Sequence, residues 1–336
     1  MIKRLSRHYS IVQRILPIIV ILALVVLYIL GCAPAKQRIS IATGGTGGTY
    51  YPYGGAMAST INKYVDALEA SAEVTGASVE NVRLIESKES QLALVMDDVV
   101  YHALHGEGAF DHEVELRTLM EMYPHFFHIV VHADSSIHSV EDLVGKKVSV
   151  GAPGSGTETM SQQVLEALGI TYDKFDVFRL SFTENTEALR DDVIDAGIWS
   201  VGPPTASIMD LATTHDIRII NFTDEQLAAV QEKYPYYLTM KLEGGTYQGV
   251  DEDLMAPSVW NSVVVGKDMP EEQAYEIAKS LFEHRDELEQ VYVGASWSTP
   301  ENTIEYAIAP LHPGVIRYFE EIGLEVPDRL IPPEMK

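Results

Sequence analysis

The chain of 336 residues has one cysteine, Cys32, and only 24 lysines and arginines against 49 aspartates and glutamates. A single thiol excludes an internal disulfide framework and a cysteine-rich zinc site. The formal charge of −25 argues against nucleic acid as a partner, because no basic run beyond the first 14 residues could displace counterions from a polyanion. Metal chemistry lacks its spacings as well. His102, His105, His112, His125, His128 and His132 never form His-Glu-x-x-His and are expected as core or surface residues. The pairs Asp97-Asp98 and Asp191-Asp192 and the run Asp251-Glu252-Asp253 lack the alternating oxygen ligands of a calcium loop, so they are expected to be solvated. No metal and no cofactor is expected. At 46% apolar and 22% charged residues, the chain can bury a substantial core, and its length suits two domains or one large one.

The N-terminus changes the meaning of both scarcities. Lys3, Arg4, Arg7 and Arg14 precede an apolar run from Ile15 to Leu30 that ends in Ile29-Leu30-Gly31-Cys32. This resembles a bacterial lipoprotein signal, in which residues 1–32 end at an acylated Cys32. The alternative is an uncleaved membrane anchor, since Ile15 to Ala35 carries no charge. Cleavage before Cys32 removes four cations and no anion from the formal −25, leaving −29. The expectation is an acidic domain at the periplasmic or extracytoplasmic face, tethered to the bilayer through Cys32.

From Arg38 the sequence alternates β-branched runs with amphipathic stretches, which indicates an α/β fold. Ile39 to Ala42 reads as a strand and Thr43 to Thr49 as a glycine-rich loop. Tyr53, Met57, Ile61, Tyr64 and Leu68 mark one face of a helix. The layout recurs at Lys147 to Val150, Gly151 to Thr157 and a helix closed by Leu168-Gly169. Two occurrences so far apart suit two similar lobes rather than a solenoid. A further helix is expected to start after Thr183 and another at Gly202-Pro203-Pro204, with Gly244 to Pro257 a crossover. The division expected is lobe 1 over 33–135, lobe 2 over 136–250 and a return to lobe 1 over 251–336. Hinges would lie near Ala133 to Ile137 and Thr246 to Pro257.

Thr43-Gly44-Gly45-Thr46-Gly47-Gly48-Thr49-Tyr50 lets backbone turn tightly before a helix start, where free N–H groups favour an anion. It lacks the third glycine of a dinucleotide fingerprint and the lysine of a P-loop. Gly154-Ser155-Gly156-Thr157 supplies the same apparatus from the second unit. Pro153 and Thr157 flank Ser155 where a nucleophile elbow requires glycines, which weakens an exported hydrolase as an alternative. Two such loops facing one cleft suit a small carboxylate held by amides and hydroxyls. Trp199, at a strand's carboxyl end, could wall that cleft or fill the core.

Ile39 to Ala56, Ser78 to Ser87, Val148 to Thr159 and Asp195-Ala-Gly-Ile-Trp resemble the TAXI family, the extracytoplasmic solute-binding proteins of TRAP transporters. The similarity extends from about Arg38 to Gly323 and includes Lys233-Tyr-Pro-Tyr-Tyr and Leu311-His-Pro-Gly. It implies a two-lobed periplasmic-binding-protein fold, with a cleft between lobes joined by hinge strands. The implied function is capture of a small organic acid (dicarboxylate, 2-oxoacid or glutamate-like) and delivery to TRAP membrane subunits, with no catalysis. A sensor lipoprotein without a permease is the alternative. Ligand contacts carried over are Gly48, Thr49, Tyr50, Ser87, Gly154, Ser155, Gly156, Thr157, Trp199 and Gly202. Met96 stands where the family tends to have glutamine and makes the pocket less polar.

Overall fold

One chain feeds two β-sheets and passes between them at two points. A computed structural model describes residues 36–336, so the leader and Cys32 lie outside the described residues. The first sheet is built from β1 (Gln37–Ala42), β2 (Leu68–Glu73), β3 (Leu92–Met96), β4 (Leu116–Glu121) and, returning late, β12 (Asn261–Gly266), in the order β2-β1-β3-β12-β4. The second contains β5 (His125–His132), β6 (Lys147–Ser149), β7 (Asp176–Phe178), β8 (Ala196–Val201), β9 (Ile217–Ile219), β10 (Leu238–Leu242) and β11 (Leu254–Val259). Its order is β10-β11-β5-β8-β6-β7, with β9 on β5.

Parallel pairing, of β1 with β3 and of β6 with both β7 and β8, puts the loops after these strands at one edge of each sheet. Ligands of open α/β sheets bind at such carboxyl ends. Helices cover the sheets, so the strands read as continuous apolar runs: all of Leu-Ala-Leu-Val-Met in β3 is buried. The helices are α1 (Tyr50–Tyr64), α2 (Ser78–Glu86), α3 (Asp97–His105), α4 (Gly156–Ala167), α5 (Phe182–Arg190) and α6 (Ala206–Thr214). They are followed by α7 (Asp224–Lys233), α8 (Glu271–Glu283), α9 (Arg285–Glu289), α10 (Pro300–Tyr306) and α11 (Pro313–Glu321).

The crossings differ from the expected hinges. Because β5 and β11 belong to the second sheet, the chain changes lobe at residues 122–124 and at Trp260. The polar stretch at Ala133 to Ile137 and the acidic, glycine-rich stretch ending at Pro257 read as connectors. They instead follow β5 and contain β11, whose apolar faces pack within lobe 2. Trp260 stacks on Tyr306 at 4.2 Å between centroids and meets Trp297 edge-on at 5.9 Å.

Local differences have local causes. Leu68 leaves the helical face assigned to it because α1 ends at Tyr64 and Leu68 opens β2. The helix expected at Gly202 starts at Ala206, after Thr205 as N-cap. Asp97 and Asp98 are buried rather than solvated, since they begin α3 directly from the fully buried β3. The Ser262 hydroxyl lies 2.6 Å from Asp97 Oδ1 and 2.6 Å from Glu121 Oε1. One hydroxyl donates once, so the second contact requires a carboxyl proton. Burial raises both acids accordingly.

Candidate functional site

Four helices begin at one cavity of about 500 Å³. From lobe 1, the loop after β1 leads through Gly44 to Thr49 into α1, and the loop after β2 leads through Val74 to Ala77 into α2. From lobe 2, Ala152 and Ser155 precede α4, and Ser181 precedes α5. Each helix start carries N–H groups without intrahelical acceptors, and each macrodipole is positive at this end. Serine caps two of them. Ser155 Oγ accepts from Glu158 N at 3.1 Å, and Ser181 forms a capping box with Glu184. Thr49 and Ala77 cap α1 and α2 without a side-chain bond.

The rest of the lining is short on charge. Among the described residues no lysine or arginine lines the cavity, and its only carboxylate is Glu184. That carboxylate accepts from Ser181 N and Oγ at 2.8 and 2.7 Å, which holds it below the usual range. His125 lines the cavity from the start of β5, with neither ring nitrogen partnered, and burial pushes it down to about 3, so it is neutral. Thr49 Oγ1 is buried without a partner as well. Tyr50 is anchored by its hydroxyl to Asn261 beside the Trp260 crossing, which fixes the first turn of α1 against the return strand.

Of the residues named from sequence, Gly48, Thr49, Tyr50, Met96, Ser155, Gly156 and Thr157 line this cavity. Four others lie elsewhere. Ser87 is exposed at the far end of α2, its hydroxyl on Leu84 O at 3.3 Å; the N-terminal end of that helix is the one facing the cavity. Gly154 lines a second cavity between α2 and α4, and its carbonyl accepts from Glu80 N of lobe 1 at 3.4 Å. Trp199 is fully buried, donates from Nε1 to Ser207 Oγ at 3.1 Å, and supports Phe182, a lining residue, from behind. Gly202 packs against Tyr292, which follows α9 and donates to Pro203 O at 3.2 Å.

The glycines also act between the lobes. A Cβ on Gly156 would lie 2.4 Å from Met96 Sδ and 2.7 Å from Ser78 Oγ. On Gly48 it would meet the Phe182 ring at 3.0 Å, and on Gly202 the Tyr292 hydroxyl at 2.1 Å. The missing side chains let the two lobes approach this closely. The helix expected after Thr183 is α5, beginning at Phe182, but sequence reasoning did not assign its start, Ser181 to Glu184, to the site, although Ser-x-x-Glu is a readable capping box. It also missed Thr75 to Ser78 before α2. His125 carried no signal beyond being a histidine in an apolar strand.

A family profile described as NMT1-like matches residues 41–323. Among solved structures, a Bordetella bronchiseptica protein is 18% identical, with 89% of this chain and 86% of that one covered and a TM-score of 0.52. PhnD1 of Prochlorococcus marinus, solved with methylphosphonate, is 10% identical over 77% of this chain and 90% of its own, at 0.51. A Listeria monocytogenes protein described as an L-cystine ABC transporter is 12% identical over 78% and 98%, at 0.50. These likenesses establish the two-lobed periplasmic-binding fold.

Proposed function

The chain belongs to the NMT1-like family, and from that premise we propose that it is the extracytoplasmic solute-binding component of a membrane transporter, capturing a small organic acid. The observation that carries this reading is the meeting of four helix N-termini from two lobes at one cavity without a basic side chain. Amides and hydroxyls there stabilise an anionic head, and both lobes contribute, so a ligand makes its full set of contacts only when they are together. Such a ligand shifts an open–closed equilibrium toward closed, and the membrane subunits select the closed form. No residue is assigned to catalysis: Ser155 caps α4, and among the described residues no histidine is bonded to its hydroxyl.

Resemblance of the Thr43 to Tyr50 segment to TAXI proteins supports a TRAP-type permease driven by an ion gradient, and the Ile29 to Cys32 segment supports a lipid anchor. Native mass spectrometry of the purified protein, followed by a thermal-shift screen of organic acids, tests capture, since a bound ligand raises the melting temperature. An empty spectrum and no shift across the screen would refute it. Uptake of the identified acid by cells with the cognate membrane subunits separates the permease types. A TRAP partner makes uptake collapse with an ionophore; the ABC description of one structural neighbour would be favoured if uptake persists on ATP.

A further inference from the structure

Which acid fits follows from what the cavity lacks beyond the helix starts, and this inference rests on the acid-binding reading above. We infer that the ligand is a monoanion with an apolar body, a carboxylate or sulfonate head on a hydrocarbon tail, rather than a dicarboxylate or an amino acid. One anionic head is well provided for: N–H groups begin α1, α2, α4 and α5, and the buried Thr49 hydroxyl is unpartnered. A second carboxylate would enter a cavity with no lysine or arginine to pair with. An ammonium would find one carboxylate among the described lining residues, Glu184, whose Oε2 already accepts from Ser181 N and Oγ, which leaves only Oε1. Burying a second carboxylate without a partner is strongly unfavourable, and a single carboxylate oxygen offsets the desolvation of an ammonium only in part.

Several hydroxyls that make the lining look polar in sequence are committed to the protein. Thr75 donates to Asn81 Oδ1 at 2.6 Å, Ser78 accepts from Met96 N at 3.1 Å, and Ser200 contacts Met160 Sδ at 3.2 Å. The apolar surfaces offered to a ligand's body are those of Val74, Ala77, Met96, Ala152, Phe182 and Val201, contributed by both lobes, beside the neutral ring of His125 and the hydroxyls of Thr46, Thr157 and Thr183. Met96 from lobe 1 and the Phe182 ring from lobe 2 both contribute to this lining, the ring held by Trp199 at 6.3 Å between centroids. Burial of a hydrocarbon chain against such a wall is favourable in proportion to its area, whereas a terminal charge cancels that gain.

Calorimetric titration of the purified protein with four six-carbon probes tests this: hexanoate, hexane-1-sulfonate, adipate and norleucine. At least one monoacid is expected to bind ten times or more tighter than adipate and norleucine, and the two monoacids distinguish a carboxylate from a sulfonate head. Phe182→Asn, at a half-buried position that should not disturb folding, is expected to weaken the preferred monoacid at least threefold and to narrow its lead over adipate. Met96→Gln should do the same from lobe 1. Adipate or norleucine binding as tightly as the monoacids overturns the inference and leaves acid capture standing. Binding of none of the four also overturns it, and a blank across the wider acid screen removes the functional reading itself.

Discussion

Adding one methyl group at Gly202 should hold the lobes apart. Gly202 follows β8 in lobe 2, and its φ lies in the ordinary negative region, so alanine is compatible with the backbone there. The obstacle is across the seam. The new Cβ would lie 2.1 Å from the Tyr292 hydroxyl, 2.8 Å from its Cζ and 2.9 Å from Tyr123 Cε2, against ordinary contacts at 3.4 Å and beyond. Neither ring yields easily: Tyr123 is buried, and the two meet edge-on at 4.7 Å. Overpacking of this kind costs about 1–3 kcal/mol, and lobe opening relieves it, so the closing equilibrium should fall by roughly 5- to 150-fold. Ligand affinity falls by the same factor if only the closed form makes both sets of contacts. Calorimetry gives the affinity, and small-angle scattering with saturating ligand gives the compactness. Gly202→Ala combined with Tyr292→Leu should recover most of the loss, a coupling that a folding defect would not show. Wild-type affinity and wild-type scattering in Gly202→Ala would refute the seam argument.

Other expectations are as specific. Thr49→Val should lower ligand affinity by about 1–3 kcal/mol while leaving the ligand-free melting temperature unchanged or raised, because the lost hydroxyl is unpartnered without ligand; equal affinity would remove Thr49 from the site. His125 and His128 are both pushed down to about 3 by burial, below their ordinary 6.5, so the unfolded chain binds protons more tightly. Their contribution is complete above pH 6.5 and is lost as pH falls toward 3, on the order of 2 kcal/mol each at pH 5. Because the buried carboxyls shift wild-type stability the other way over this range, the test is the difference between His128→Gln and wild type in urea titrations, which should move in favour of the variant by about 2 kcal/mol between pH 7 and 5. Asp98 has the opposite sign: burial raises it to about 7, so its contribution is complete below pH 3.8 and is lost as pH rises through 7. Asp98→Asn should therefore gain stability relative to wild type between pH 5 and 8, and an unchanged difference across that range would count against a buried neutral Asp98.

The strand-loop-helix units that build the site were legible because each combines a β-branched run, a glycine loop and a 3.6-residue apolar period, as in Ile39 to Tyr64 and Lys147 to Leu168. That local pattern implied that the two glycine loops face one cleft, and the resemblance singled out Thr49, Tyr50, Ser155, Gly156 and Thr157, which line one cavity. Sheet membership was not legible. Whether β5 or β11 belongs to one sheet or the other depends on pairing partners far along the chain, such as Phe126 with Val201 and Ser258 with Phe126. Hence the crossings were sought in polar stretches and found beside buried Tyr123 and Trp260. Ser87 illustrates a different limit: the motif spanning α2 was visible, but which end of the helix faces the cavity is decided by the strand before it.

The cation-free cavity also has a kinetic consequence. Many binding proteins draw an oppositely charged ligand in through a long-range field, and salt slows them. Here an anion approaching a chain of formal charge −25 is repelled at distance and gains its favourable contacts only within the last few ångströms, at the helix starts. Screening shortens the repulsion, to about 10 Å at 0.1 M salt, while leaving the buried amides largely untouched. Capture should therefore become faster as ionic strength rises, with release nearly constant, so that the protein takes up its ligand best in the saline surroundings that impair electrostatically steered binders.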